Sequence, residues 1–175
     1  DCEVIVLSDY GKGGLDHITR MIEVAKKKSI PVLIDPKGNN YERYRGATVI
    51  TPNRAELARV VGEWGSEEEL TQKAQALRSE LDLTALLLTR SEEGMTLYTA
   101  EGEVTIPAQA LEVYDVSGAG DTVIGVLATM MAMGKPLPEA IRIANRAGGI
   151  VVGKLGTATV SFEELFPNGF EELFP

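Results

Sequence analysis

The sequence predicts an α/β fold built around a mainly parallel sheet, and three observations carry that prediction. Short apolar runs rich in β-branched residues recur along the chain: EVIVLSD (3–9), IPVLID (30–35), ATVITP (47–52) and ALLLTR (85–90). Segments with helical spacing separate them. The runs are continuously apolar rather than alternating, as strands of a parallel sheet covered on both faces are.

The first strand ends in the turn-prone DYGKGG. Residues 15–28 then place Leu15, Ile18, Ile22 and Ala25 on one helical face, with Arg20, Glu23, Lys26 and Lys27 elsewhere. The KKK at 26–28 falls where a helix C-terminus favours cations. Ser66 and Glu69 have the spacing of a capping box, ahead of a helix lined by Leu70, Ala74, Leu77 and Leu81. GMTLYTA and GEVTIPA predict a hairpin over 94–108 with a short EG turn. Two helices at about 119–134 and 138–152 are apolar almost all round, so both are expected to be buried.

A chain of 175 residues is long enough for one well-packed domain. The net charge of −9 disfavours a nucleic-acid partner, since phosphate backbones select basic surfaces. No apolar stretch approaches the roughly 18 residues of a membrane span, and the acidic, strand-like start is not that of a signal peptide. A lone cysteine, Cys2, fits a reducing, cytoplasmic setting. His17 alone cannot anchor a histidine-based metal site and reads as a surface residue. The abrupt start on a strand suggests missing upstream sequence, and the tail, 166–175, completes a duplicated FEELFP. One short duplication does not make a solenoid.

Three stretches can carry chemistry. In DVSGAGD (115–121) a glycine turn opens a helix, an arrangement that turns backbone N–H groups toward an anion at the positive end of the helix dipole. Gly118 and Gly120 would let the backbone approach a phosphate. Asp121 would repel that phosphate, which makes sense if it accepts a proton from an attacking hydroxyl. The plainer alternative is a carboxylate favoured in a first helical turn, worth about 0.3–1 kcal/mol. In TPNRAE (51–56), Asn53 and Glu56 fit an N-cap and its N3 partner, and also fit a nucleotide site in which Glu56 holds Mg²⁺ through water. In TRSEEG (89–94), Thr89, Arg90 and Gly94 follow a strand, where a loop can hold a nucleotide or merely turn. Asp35 and Lys37 of IDPKG end another strand, and Lys37 is as consistent with a phosphate contact as with a surface lysine. The chain lacks a P-loop, a dinucleotide fingerprint after its first strand and a nucleophile elbow.

DVSGAGD, TPNRAE and TRSEEG, in this order with two closing helices, resemble the ribokinase-like (PfkB) carbohydrate kinases over residues 1 to about 165. LSDYGKG, VLIDPKG, YERYRGAT, EVYDVSGAGDTVIGVLA and VVGKLGT narrow the likeness to the kinase domain of the bifunctional heptose 7-phosphate kinase/ADP-heptose synthases of lipopolysaccharide biosynthesis. The resemblance implies a three-layer α/β/α fold, Asp121 as catalytic base, and an anion hole from the N–H groups of Gly118, Ala119 and Gly120. It implies ATP and Mg²⁺ binding by Asn53, Arg54, Ala55 and Glu56, with Thr89, Arg90 and Gly94 on the nucleotide and Asn145 near the adenine. Asp115, Ser117 and Gly156 match positions of a monovalent cation such as K⁺. The implied reaction is ATP-dependent phosphorylation of D-glycero-β-D-manno-heptose 7-phosphate at C1. The family's N-terminal half, with its lid and most of its sugar pocket, has no counterpart here, so 1–165 is expected to be the C-terminal portion of such a domain. Two alternatives stand beside this: a kinase for another sugar, and a non-catalytic nucleotide-binding fragment. An exposed sheet edge where further strands belong leaves a homodimer open.

Overall fold

A computed structural model gives the protein's structure and describes residues 2–109 and 113–173. The chain divides into two compact units, Asp1–Ile106 and Pro107–Pro175.

The first unit holds a six-stranded sheet whose spatial order is the chain order: β1 (Ile5–Ser8), β2 (Val32–Asp35), β3 (Val49–Ile50), β4 (Ala85–Thr89), β5 (Met95–Thr99) and β6 (Gly102–Ile106). β1 to β4 run parallel and β4 to β6 antiparallel. Strands pointing the same way need a crossover, helical in two of the three here, while 36–48 joins β2 to β3 with a single 3-10 turn at Glu42–Tyr44. α1 (Ile18–Lys27) joins β1 to β2, while α2 (Arg54–Val61) and α3 (Glu67–Glu80) join β3 to β4. Ile18, Ile22, Leu57, Leu70 and Ala74 pack with Ile34, Ile50, Leu86 and Leu88 in one buried cluster. The alternate strand positions, Leu33, Val49, Ala85 and Leu87, are buried as well, which is why these runs lack polar alternation. Each buried Leu or Ile contributes roughly 1.5–3 kcal/mol against about 1 for a typical cap, so burial rather than capping decides this sheet.

Local chemistry shifts some boundaries. α1 begins at Ile18 because the preceding glycines, Gly11 and Gly13, sit at positive φ and keep the chain in turns; Leu15 reaches the core from there. The Ser66 hydroxyl accepts the Glu69 N–H at 3.2 Å, but Glu69 returns its bond to Gly65 N–H at 2.8 Å, one residue earlier than a capping box requires. The hairpin turns on Ala100 and Glu101, with Gly102 already paired to Thr99.

The second unit contains α4 (Ala119–Ala132), α5 (Leu137–Val152) and α6 (Phe162–Leu165). α4 and α5 approach so closely that a Cβ on Gly148 would lie 3.0 Å from Val123 Cγ2. The expectation that both helices are buried all round is corrected. α4 buries Val123, Ile124, Leu127 and Met130 but exposes Asp121, Gly125 and Thr129, and α5 exposes Arg142. Small residues read as apolar in sequence yet cost little when solvated. The tail packs within this unit: Phe166 and Leu173 are buried and Glu172 pairs with Arg146 at 3.2 Å. The last two residues of the second FEELFP lie outside the described residues, as does Glu112.

Candidate active site

The residues singled out in the sequence fall into two sets, one in each unit. The first set gathers at the carboxyl ends of the parallel strands, where open α/β sheets take ligands. Asn53 caps α2: its Oδ1 accepts Glu56 N–H at 2.9 Å, and Glu56 Oε2 accepts Asn53 N–H at 3.0 Å, a complete capping box. A parallel bridge joins Asn53 to Thr89, whose N–H donates to the Pro52 carbonyl at 3.0 Å. TPNRAE and TRSEEG, 33 or more residues apart in the chain, therefore form one surface within this unit. Arg54 pairs with Glu93 at 2.8 Å and lies over the Trp64 ring, while Ala55 is exposed on the first turn. Gly94 takes φ 94 and ψ −125, a conformation that suits glycine, and its carbonyl accepts Arg90 N–H at 2.8 Å.

The Arg90 side chain is engaged within the protein. It is 9% exposed, and its five N–H donors are met by five bonds: a bidentate pair to Glu67 at 2.8 and 2.9 Å, two to Glu93 and one to Thr96 at 3.2 Å. Burial lowers its pKa, but Glu67 and Glu93 outweigh that and raise it. Arg90 ties the β4–β5 loop to the start of α3.

Apart from Asp35, the sequence did not single out the polar network beside this set. Asp9, 5% exposed, accepts the Tyr44 hydroxyl at 2.7 Å and Gly11 N–H at 2.8 Å, with Arg43 at 3.4 Å. Burial pushes the Asp9 carboxyl up, yet Tyr44, Gly11 and Arg43 together hold it below the usual carboxylate range. Ser8 donates to Asp35 at 3.0 Å across β1 and β2. The Tyr41 hydroxyl is buried without a hydrogen-bond partner among the described residues, and burial, with the charges of Glu56 and Asp35, raises its pKa. An aspartate straight after an apolar strand was a signal for Asp9; the tyrosines of YERYR carried no periodic signal.

The second set lies in the other unit. Gly118 is the N-cap of α4 at φ 77, where a Cβ would also meet Thr157 Cγ2 at 3.3 Å. Ala119, Gly120 and Asp121 form the first turn, and Asp121 is exposed. Around Gly120 a Cβ would find nothing within 4 Å. No protein contact explains this glycine, which costs about 1 kcal/mol relative to alanine within a helix. The Asp115 carboxylate accepts Ser117 N–H at 2.8 Å, and the N–H groups of Ser117 and Gly156 hold its pKa down. Asn145 is buried and donates to the Pro107 carbonyl at 2.8 Å.

Among the described residues no helix is long and apolar enough to cross a membrane. The family model "pfkB family carbohydrate kinase" matches residues 7–164. A protein named "D-beta-D-heptose 7-phosphate kinase" from Bordetella bronchiseptica is 60% identical over 163 residues, covering 93% of this chain and 52% of its own length. The "Bifunctional protein HldE" of Proteus mirabilis is 59% identical over 92% of this chain and 34% of its own. The chain thus spans about half and a third of these relatives. Among solved structures, Arabidopsis thaliana ribokinase complexed with ribose and ATP matches with a TM-score of 0.83 at 22% identity, over 94% of this chain and 55% of that one. Escherichia coli phosphofructokinase-2 in complex with potassium matches at 0.81 and 19%, over 100% and 59%. The fold is ribokinase-like.

Proposed function

Because this chain belongs to the pfkB family of carbohydrate kinases, we propose that it supplies the phosphoryl-transfer portion of an ATP-dependent kinase acting on D-glycero-β-D-manno-heptose 7-phosphate at C1. The observation that carries this reading is the opening turn of α4, where Gly120 faces open space beside an exposed Asp121. A helix start of this kind offers backbone donors to a phosphoryl group, and the missing side chain leaves room for it. The name of the Bordetella relative supports the heptose substrate.

In this mechanism Asp121 accepts the proton of the C1 hydroxyl as its oxygen forms a bond to the γ-phosphorus. The bond from that phosphorus to the β-phosphate oxygen breaks, and ADP leaves. The N–H groups of Gly118, Gly120 and Ala119 receive the charge on the transferring group, Ala119 giving up its 3.3 Å bond to the Val116 carbonyl. Asn53, Arg54, Ala55 and Glu56, with Thr89 and Gly94, hold the nucleotide, and Arg90 positions their loop. Asn145 acts near the adenine by fixing the chain at Pro107.

Glu56 fits a magnesium ion held through water. Oε2 is fixed by the cap and Oε1 faces outward to Lys37, and Mg²⁺ keeps several waters when one carboxylate and phosphates bind it. Bound there, the ion would neutralise phosphate charge. Asp115, Ser117 and Gly156 fit a monovalent cation less well, since the carboxylate already serves two N–H groups, and no step is routed through them. The lone cysteine supports a cytoplasmic setting. The outer strand β1, where Val6 is 40% exposed, is the edge through which a homodimer would form.

ADP release with Mg-ATP, compared between heptose 7-phosphate and fructose 6-phosphate, tests the substrate. Preference for the heptose supports the proposal; preference for fructose 6-phosphate favours a kinase of another sugar. Magnesium-dependent ATP binding without turnover is the outcome of a nucleotide-binding portion alone, a second reading favoured by the chain's half-length cover of its relatives.

A further inference from the structure

Glu56 carries an ion pair that its capping box does not require. With Oε2 committed to Asn53 N–H, Oε1 lies 3.4 Å from Lys37 Nζ. The lysine backbone is unusually well held for an exposed residue. Its N–H donates to the Tyr44 hydroxyl at 3.0 Å, and that hydroxyl lies 3.2 Å from the Lys37 carbonyl oxygen. Tyr44 is fully buried and donates to buried Asp9 at 2.7 Å. The lysine stem passes Gly11, where a Cβ would stand 3.8 Å from Lys37 Cγ. The chain segments following β1 and β2 thus fix this backbone, while the Lys37 side chain stays 48% exposed and aimed at a carboxylate only 12% exposed.

We propose that Lys37 is a phosphate-binding residue held on Glu56 Oε1 until a metal–nucleotide arrives. The inference rests on the reading of Glu56 as the carboxylate that holds magnesium through water. A hydrated cation approaching Oε1 displaces the ammonium, and the phosphate oxygens arriving with that cation offer the ammonium a new partner. Lysine suits the exchange, being a compact charge on a flexible stem. An ion pair this long, with its lysine half exposed, is easily given up. The free metal has no phosphate to offer, so it binds against the lysine; the metal–nucleotide binds with it.

That predicts opposite signs for one substitution. In Lys37→Met, Mn²⁺ alone, followed by loss of its free-ion EPR signal, binds about two- to fivefold tighter, the size of an exposed ion pair. The Mg²⁺ complex of a non-hydrolysable ATP analogue, followed by calorimetry, binds about tenfold weaker, the size of one charge-assisted bond. Lys37→Arg recovers most of the analogue binding. Lys28→Met, which removes the same charge from the exposed end of α1, changes neither. Equal or same-sign effects of Lys37→Met on the two ligands overturn the proposal. Glu56→Gln separates the two layers: if it leaves Mn²⁺ binding unchanged, the metal reading of Glu56 fails and the exchange fails with it. If it weakens Mn²⁺ binding while Lys37→Met changes nothing, only the lysine assignment fails.

Discussion

At the carboxyl ends of β1 to β4 the charged groups answer one another: Asp9 with Tyr44 and Arg43, Lys37 with Glu56, Arg54 with Glu93, Arg90 with Glu67 and Glu93. At the first turn of α4 the chain instead presents two glycines and an exposed carboxylate, with open space at Gly120. The first region is tied together by contacts within the protein, so its residues take part in folding as well as in the proposed nucleotide binding. The second opens on a glycine with no side-chain neighbour beside an exposed carboxylate, which is the combination the proposed phosphoryl site uses. Substitutions therefore should act mainly on stability in the first region and mainly on chemistry in the second.

The largest stability effect is expected at Asp9. Asp9→Ala leaves the Tyr44 hydroxyl, Gly11 N–H and Arg43 without their acceptor and should cost about 2–3 kcal/mol in urea unfolding. Because the folded Asp9 carboxyl titrates below its ordinary value, its contribution is complete above the unfolded pKa of about 3.9 and fades as pH falls through the folded pKa. The difference between wild type and Asp9→Ala should accordingly shrink on acidification below about pH 4; a constant difference would show that the charge is not the cause.

Two glycines two residues apart sharpen the contrast. Gly118→Ala meets both a left-handed backbone and Thr157 and should destabilise by about 1–2 kcal/mol. Gly120→Ala has no protein clash and should stabilise the helix by up to about 1 kcal/mol, while lowering transfer because its methyl enters the phosphoryl position. A stabilised Gly120→Ala with undiminished transfer would break the distinction. Asn53→Ala should cost about 1 kcal/mol through loss of the cap, read from thermal unfolding. The smallest effect belongs to Tyr41→Phe: removing a buried hydroxyl with no partner among the described residues should leave stability unchanged or raise it by about 0–1 kcal/mol.

The sheet was legible because burial on both faces writes itself as unbroken apolar runs, and β2 and β4 lie within the runs read as IPVLID and ALLLTR. The capping box of Asn53 and Glu56 was legible because it depends on residues three apart. Asp9 with Tyr44, and Arg90 with Glu67, were not. Their partners lie 35 and 23 residues away, and pairing over that distance depends on how the loops fold back. The same limit explains Arg90: its loop position suggested a ligand contact, and only the placement of α3 showed its donors already engaged. The exposure of α4 was misjudged because Gly125 and Thr129 pass for core residues in a one-dimensional pattern.

The most direct test of the account is Asp121→Asn, measured with Mg-ATP and heptose 7-phosphate beside unfolding and ATP-binding curves. Asp121 is exposed, so the account predicts unchanged ATP affinity and a stability loss no larger than the ~0.3–1 kcal/mol of a first-turn carboxylate. It predicts a loss of transfer of about 10²–10⁴-fold, the contribution of a general base. Intact transfer with weakened ATP binding or lowered stability would contradict it, and would return Asp121 to the role of a carboxylate at a helix start.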